Sequence, residues 1–130
     1  MKNKFLSLCI TLATFMPLTS HAEFTVSMYK NLKNAAINSD AENAKKAKDL
    51  ISSYLMGVAS GANEISQFES IKNGTPFPYC LPKGIKLTPS LAENIVDSVL
   101  SDKDANLNNV DSMSLSRIYV IGVLRYYKCN

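Results

Sequence analysis

Ala44-Lys-Lys-Ala47-Lys-Asp-Leu-Ile51-Ser-Ser-Tyr54-Leu55-Met-Gly57-Val58-Ala-Ser-Gly61-Ala62-Asn-Glu-Ile65 is the stretch that decides the fold. Ala44, Ala47, Ile51, Tyr54, Leu55, Val58, Ala62 and Ile65 recur every three or four positions, as on one face of an α-helix. Lys45, Lys46, Lys48 and Asp49 fall mostly elsewhere on the wheel. The spacing predicts a helix from Asp40 to about Gln67, roughly 40 Å long at 1.5 Å per residue. Ser39 followed by Glu42 fits a capping box at its start. Gly57 and Gly61 each cost a helix interior about 1 kcal/mol relative to Ala, so they need a reason. Four apart, they share a face and admit a close neighbouring helix, or they mark a bend. A small-xxx-small membrane motif is the other reading. Lys48, Asp49, Asn63 and Glu64 lie too near for a lipid-spanning segment.

Working outward, Phe24 to Ile37 reads as a first helix, with Val26, Tyr29, Leu32, the Lys33 stem and Ala36 along one side, and Asn38-Ser39-Asp40 breaks it. Downstream, Glu69 to Lys86 contains Gly74, Pro76, Pro78, Pro82 and Gly84, which predicts a stiff, extended connection. Thr88 and Pro89 suit the N-cap and first position of a third helix, with Leu91, Ile95, Val96, Val99 and Leu100 turned inward. Ser101 to Asn109 is polar and turn-rich. Asp111 or Ser112 then caps a last helix running through Tyr127. Leu115, Ile118, Tyr119, Ile121, Val123 and Leu124 make that helix apolar over most of its circumference, as a central helix would be, with Arg117 and Arg125 at its wet edges.

The first 22 residues read as a targeting segment. Lys2 and Lys4 precede an apolar run from Phe5 to Met16, and Leu18-Thr-Ser-His-Ala22 supplies small residues around a cut after Ala22. The run is shorter than the roughly 20 apolar residues that span a bilayer. Cys9 follows Leu8, too bulky for lipoprotein processing, and reads as a passenger. The expectation is an exported chain, 23–130 forming one helical domain in the periplasm, with no membrane insertion after cleavage. The precursor's net charge of +3 loses Lys2 and Lys4 on cleavage, leaving too weak a basic field for nucleic acid.

Two cysteines remain, Cys80 and Cys129. An even pair in an exported chain is most simply one disulfide. It would close a loop of about 50 residues and contribute roughly 4 kcal/mol. The fold class predicted is therefore all-α: a small, disulfide-closed, four-helix domain with room for an extra short helix.

The chemistry points away from an enzyme. His21 is the sole histidine and leaves with the leader, removing imidazole bases and ligands. A disulfide would remove thiolates as nucleophiles or metal ligands, so no cofactor is expected. The acidic pairs Asp40 with Glu42, Glu64 with Glu69, Glu93 with Asp97, and Asp102 with Asp104 all read as solvated surface.

Tyr54-Leu-Met-Gly57-Val58, then Phe77-Pro-Tyr79-Cys80-Leu-Pro82-Lys-Gly84-Ile85, a helix opened by Thr88, and a last apolar helix closing on Cys129 together resemble the Rap/Tai family. These are small periplasmic immunity proteins against type VI secretion amidase effectors. The resemblance spans about three-quarters of 23–130, and its most specific part is the Cys-x-Pro-x-Gly connection paired with a cysteine past the last helix. It implies an all-helical fold with one disulfide, frequent homodimerisation, and steric inhibition of a cognate peptidoglycan amidase by a loop pushed into its groove. Tyr54, Gly57, Cys80, Pro82 and Cys129 take the family's framework positions, with Gly84 completing the connection. The stretch between Ala62 and Cys80 is longer than the family pattern, and Tyr126-Tyr-Lys-Cys129 replaces an aromatic-proline-cysteine ending.

For the protruding element, the first candidate is the segment from Ser101 to Val110, with Asp102, Lys103, Asp104, Asn106, Asn108 and Asn109, and Leu107 at its tip. The second is the segment from Phe68 to Tyr79, where Phe68, Phe77 and Tyr79 would anchor an interface. Two other roles fit a non-catalytic helical domain: an acid-stress holdase chaperone, and an accessory subunit of an envelope complex docking through the helix-face glycines.

Overall fold

The computed structural model describes residues 23–129. The leader read over 1–22, with its cut site, Cys9 and His21, lies outside the described residues. Four helices follow in order: α1 (Val26–Asn38), α2 (Ala41–Asn73), α3 (Pro89–Ser101) and α4 (Leu115–Tyr126). Two 3-10 turns, Lys103–Ala105 and Val110–Ser112, lie between α3 and α4. Among the described residues the extended pairing is one isolated antiparallel bridge, Thr25 with Ser114. The domain is all-α, and Cys80 and Cys129 stand at bonding distance with Cα atoms 4.8 Å apart.

The ends of the helices depart from expectation where local chemistry competes. Asp40, and not Ser39, caps α2: its carboxylate accepts from Asn43 N at 3.0 Å, while Ser39 terminates α1. Glu42 pairs with Lys46 one turn on and does not reach back to close a box. At its far end α2 overruns the expected stop and continues to Asn73. Ser66 to Lys72 contains no helix breaker, and the stop comes at Gly74, which takes the left-handed φ of 63° that a Cβ would oppose. The helix has 33 residues, about 50 Å. Thr88 caps α3 as expected, accepting from Leu91 N. Asp111 and Ser112 do not cap α4. They form a 3-10 turn, and Ser114 takes the cap position. The Leu115 amide is satisfied instead by Phe24 O, 2.8 Å away, and Val26 N donates to Met113 O, so the entries to α1 and α4 hold each other.

The buried core gathers Val26 and Tyr29 of α1, Ile51, Leu55 and Ala59 of α2, Ala92, Ile95, Val96 and Val99 of α3, and Leu115, Ile118, Tyr119 and Val123 of α4. Each large aliphatic among them contributes about 1.5–3 kcal/mol through burial. Phe24 stacks on Tyr54, ring centroids 4.3 Å apart, sealing one end. The hub is α2, which packs against α1, α3 and α4. This corrects the expectation that α4 is central. One face of α4 packs inward, while Val120 and Leu124 lie exposed on the other. The apolar circumference read from sequence is half core and half surface.

Two glycines expected to admit a close helix do not. A Cβ at Gly57 or Gly61 would meet nothing within 4 Å. The close approach is made by Gly122 of α4. A Cβ there would fall 3.0 Å from Val99 Cγ2 and 3.2 Å from Ile95 O, and would overlap Ile95 Cγ2. Gly122 sets the α3–α4 crossing.

A polar tie joins α1 to α3. Tyr29, buried, donates its hydroxyl to Asp97 at 2.7 Å, and Lys33 donates to Glu93 at 2.5 Å and to Asp97 at 3.1 Å. Glu93 and Asp97 are thus partly buried and committed to fixed partners, which overturns their reading as solvated surface. Burial, then the hydrogen bond to Asp97 and the charges of Asp97 and Glu93, push the Tyr29 hydroxyl well above its ordinary range. Burial, with Tyr79 and Tyr127 nearby, pushes Tyr119 up to about 12. Burial lowers the Lys33 ammonium, but its bonds to Glu93 and Asp97 outweigh that and raise it overall.

A group whose pKa rises on folding stabilises the fold below its unfolded pKa and loses that contribution as pH climbs to the folded value. Stability is therefore expected to hold through neutrality and to fall from about pH 10. Its slope should reach about 1.4 kcal/mol per pH unit for each buried tyrosine. Urea midpoints from pH 7 to 11.5 check this, and a flat series would contradict it.

Candidate partner-binding site

The segment from Ser101 to Ser114 is a built loop. Asn106 and Asn109 adopt left-handed φ values of 46° and 51°, tolerable for asparagine, and each closes one side of a 3-10 turn. Its base is fixed by Asp102. That carboxylate accepts from Asp104 N at 2.9 Å and from the Tyr126 hydroxyl at 3.1 Å, and pairs with Arg125 at 2.8 Å. The Asp104 amide bond chiefly, with Tyr126 and Arg125 adding, holds the Asp102 carboxyl below the usual range. Leu107 does not crown the tip. With Ala105 and Val110 it turns inward against the core, because an isolated leucine gains more from burial than from water. What the loop presents outward is Lys103, Asp104, Asn106, Asn108 and Asn109.

The second candidate segment is divided by the overrun of α2. Phe68 belongs to the helix and is 62% exposed, with Lys72 Nζ 5.9 Å from its ring centre. Phe77 and Tyr79 lie elsewhere: Tyr79 is buried, Phe77 half-buried, and the rings meet edge-on at 5.1 Å. These two are core and flank of the disulfide, not interface anchors. The framework residues also separate. Tyr54 packs on Phe24, and Gly57 faces open space. Pro82 O accepts from Ile85 N in a tight turn whose third residue, Gly84, has φ 86°, as a type II turn requires.

An apolar groove that the sequence reading missed runs between the far half of α2 and the outer face of α4. Ala62, Ile65 and Ser66 form one wall, Val120, Val123 and Leu124 the other, with Pro78 and Tyr79 at the end; it encloses about 320 Å³. Ile65 at 67% and Ile71 at 76% exposure extend the apolar surface along α2 with Phe68. The three-residue spacing of Ile65, Phe68 and Ile71 was the available signal, obscured because the helix was expected to end near Gln67. A second hollow of about 290 Å³, lined by Lys33, Ala36, Ile37, Lys48, Ile51, Ser52 and Glu93, lies over the polar tie between α1 and α3.

No family model matches the chain, and no curated protein or solved structure matches it. Among the described residues, no three His, Cys, Asp or Glu side chains converge as metal ligands would, and no helix is long and apolar enough to cross a membrane.

Proposed function

We propose that this chain is a periplasmic immunity protein, exported by its first 22 residues, that binds a type VI secretion peptidoglycan amidase and blocks it sterically. The observation that carries this reading is the loop from Lys103 to Asn109. It is polar and exposed, yet ordered by Asp102 at its base and by Leu107 beneath it. A plug of that kind loses little conformational entropy on entering a groove. The family resemblance supplies the identity of the target.

Co-expression of the amidase in the periplasm with and without this protein tests the role; lysis unchanged by co-expression rejects it. Within the reading, Asp102→Ala releases the loop base without removing an outward contact. It is expected to weaken effector binding about tenfold, mostly through slower association, in a calorimetric and kinetic titration. An unchanged association rate would count against preorganisation.

A second reading, an accessory subunit of an envelope complex, draws on the open faces of Gly57 and Gly61 beside exposed Leu50 and Phe68. The homodimer that the resemblance implies would use the same face. Gly57→Leu separates folding from association: it is expected to leave thermal stability unchanged or higher, because nothing occupies that space. Loss of a complex at full stability supports docking there. A variant that keeps every association removes the face from consideration.

A further inference from the structure

The disulfide braces less of the fold than its place in the sequence suggests. It ties Cys80, in the extended α2–α3 connection, to Cys129, just past α4, and both cysteines are exposed. Among the described residues, the run from Pro76 to Leu87 makes one backbone hydrogen bond to another element, Cys80 N to Tyr127 O at 2.7 Å. Ile85 N bonds only locally, to Pro82 O. Of its side chains Tyr79 is buried, Phe77, Leu81 and Leu87 are half-buried, and the rest face water. By contrast α1, α2, α3 and α4 are joined by the shared core and by the Tyr29–Asp97–Lys33–Glu93 tie, to which the disulfide contributes nothing.

We propose that Cys80–Cys129 is a redox-operated strap: a dithiol reductant releases the connection and the tail after α4 from the helices, which stay folded. A reductant thiolate attacks one exposed sulfur and displaces the other as a thiolate. The reductant's second thiol then resolves the mixed disulfide. Two electrons and two protons end on Cys80 and Cys129, and the reductant leaves as its own disulfide. The covalent tie is then replaced by one hydrogen bond and the burial of Tyr79. Opening of the strap removes Pro78 and Tyr79 from the end of the apolar groove and uncovers the Tyr119 side of α4. The groove between α2 and α4 is thus complete in the oxidised chain and open-ended in the reduced one. This holds whatever partner the loop binds.

The test is an amide correlation NMR spectrum of the 23–130 chain before and after dithiothreitol, with far-ultraviolet circular dichroism on the same samples. Signals from 76–87 and 127–129 are expected to shift toward random-coil positions, while those of α1 and the first half of α2 hold and helical ellipticity persists. Tryptic cleavage after Lys83 and Lys86 should accelerate at least about tenfold, and reoxidation should restore all three readings. The Cys80→Ala/Cys129→Ala variant should match the reduced chain. Collapse of helical ellipticity on reduction, in the wild type or through failure of the variant to fold, would overturn the proposal by making the bond a brace of the whole domain. Shifts confined to the cysteines and their immediate neighbours would overturn it from the other side.

Discussion

Gly122→Leu is expected to abolish the folded state, and Gly122→Ala to lower the free energy of unfolding by about 1–3 kcal/mol, as overpacking does. The physical reason is the α3–α4 crossing. A Cβ at 122 falls 3.0 Å from Val99 Cγ2 and 3.2 Å from the Ile95 carbonyl, and overlaps Ile95 Cγ2. The Ile95 methyl can rotate, but its carbonyl belongs to the backbone of α3, so the helices must move apart. In a free helix the same substitution would stabilise by about 1 kcal/mol, and at Gly57 and Gly61, where nothing lies within 4 Å, it is expected to do so. Urea unfolding of Gly57→Ala, Gly61→Ala and Gly122→Ala therefore yields opposite signs for one chemical change. A stabilised Gly122→Ala variant would refute this packing.

The second large effect is loss of the disulfide. Cys80→Ala/Cys129→Ala is expected to cost about 4 kcal/mol, because the bond closes a loop with a sequence separation of 49 and restricts the unfolded chain. For a domain of this size that is a fall in Tm of roughly 20 °C by thermal denaturation. The effect acts mainly on the unfolded state, so the helices are expected to remain formed at room temperature. Shifts of less than about 5 °C would mean that native strain or residual unfolded structure offsets the entropic gain.

Helix identity was legible because it is a property of spacing along the chain. The three- and four-residue recurrence from Ala44 to Ile65, the Thr88–Pro89 start and the cysteine pair all led to features the structure contains. Boundaries were harder, since competing short-range bonds decide them. Asp40 displaced Ser39 as a cap, and no breaker before Gly74 stopped α2. The candidate site was legible only in part. The loop from Lys103 to Asn109 announced itself by polarity, but its apolar plug, Leu107, and its latch, Asp102, depend on what lies beneath and beside it. Phe68 and Tyr79, read together as anchors, separated because one sits on a helix and the other in the core.

By itself the sequence determined the all-α class, four helices and their order, and the pair of cysteines available for one bond. These follow from periodicity, caps and parity, each local or countable. Only the tertiary structure decided which apolar faces meet. It made α2 the hub, left Val120 and Leu124 outside, and gave the close crossing to Gly122, where Gly57 and Gly61 had seemed the better candidates. An amphipathic stripe states that a face avoids water; which neighbour covers it depends on distances between elements far apart in the chain.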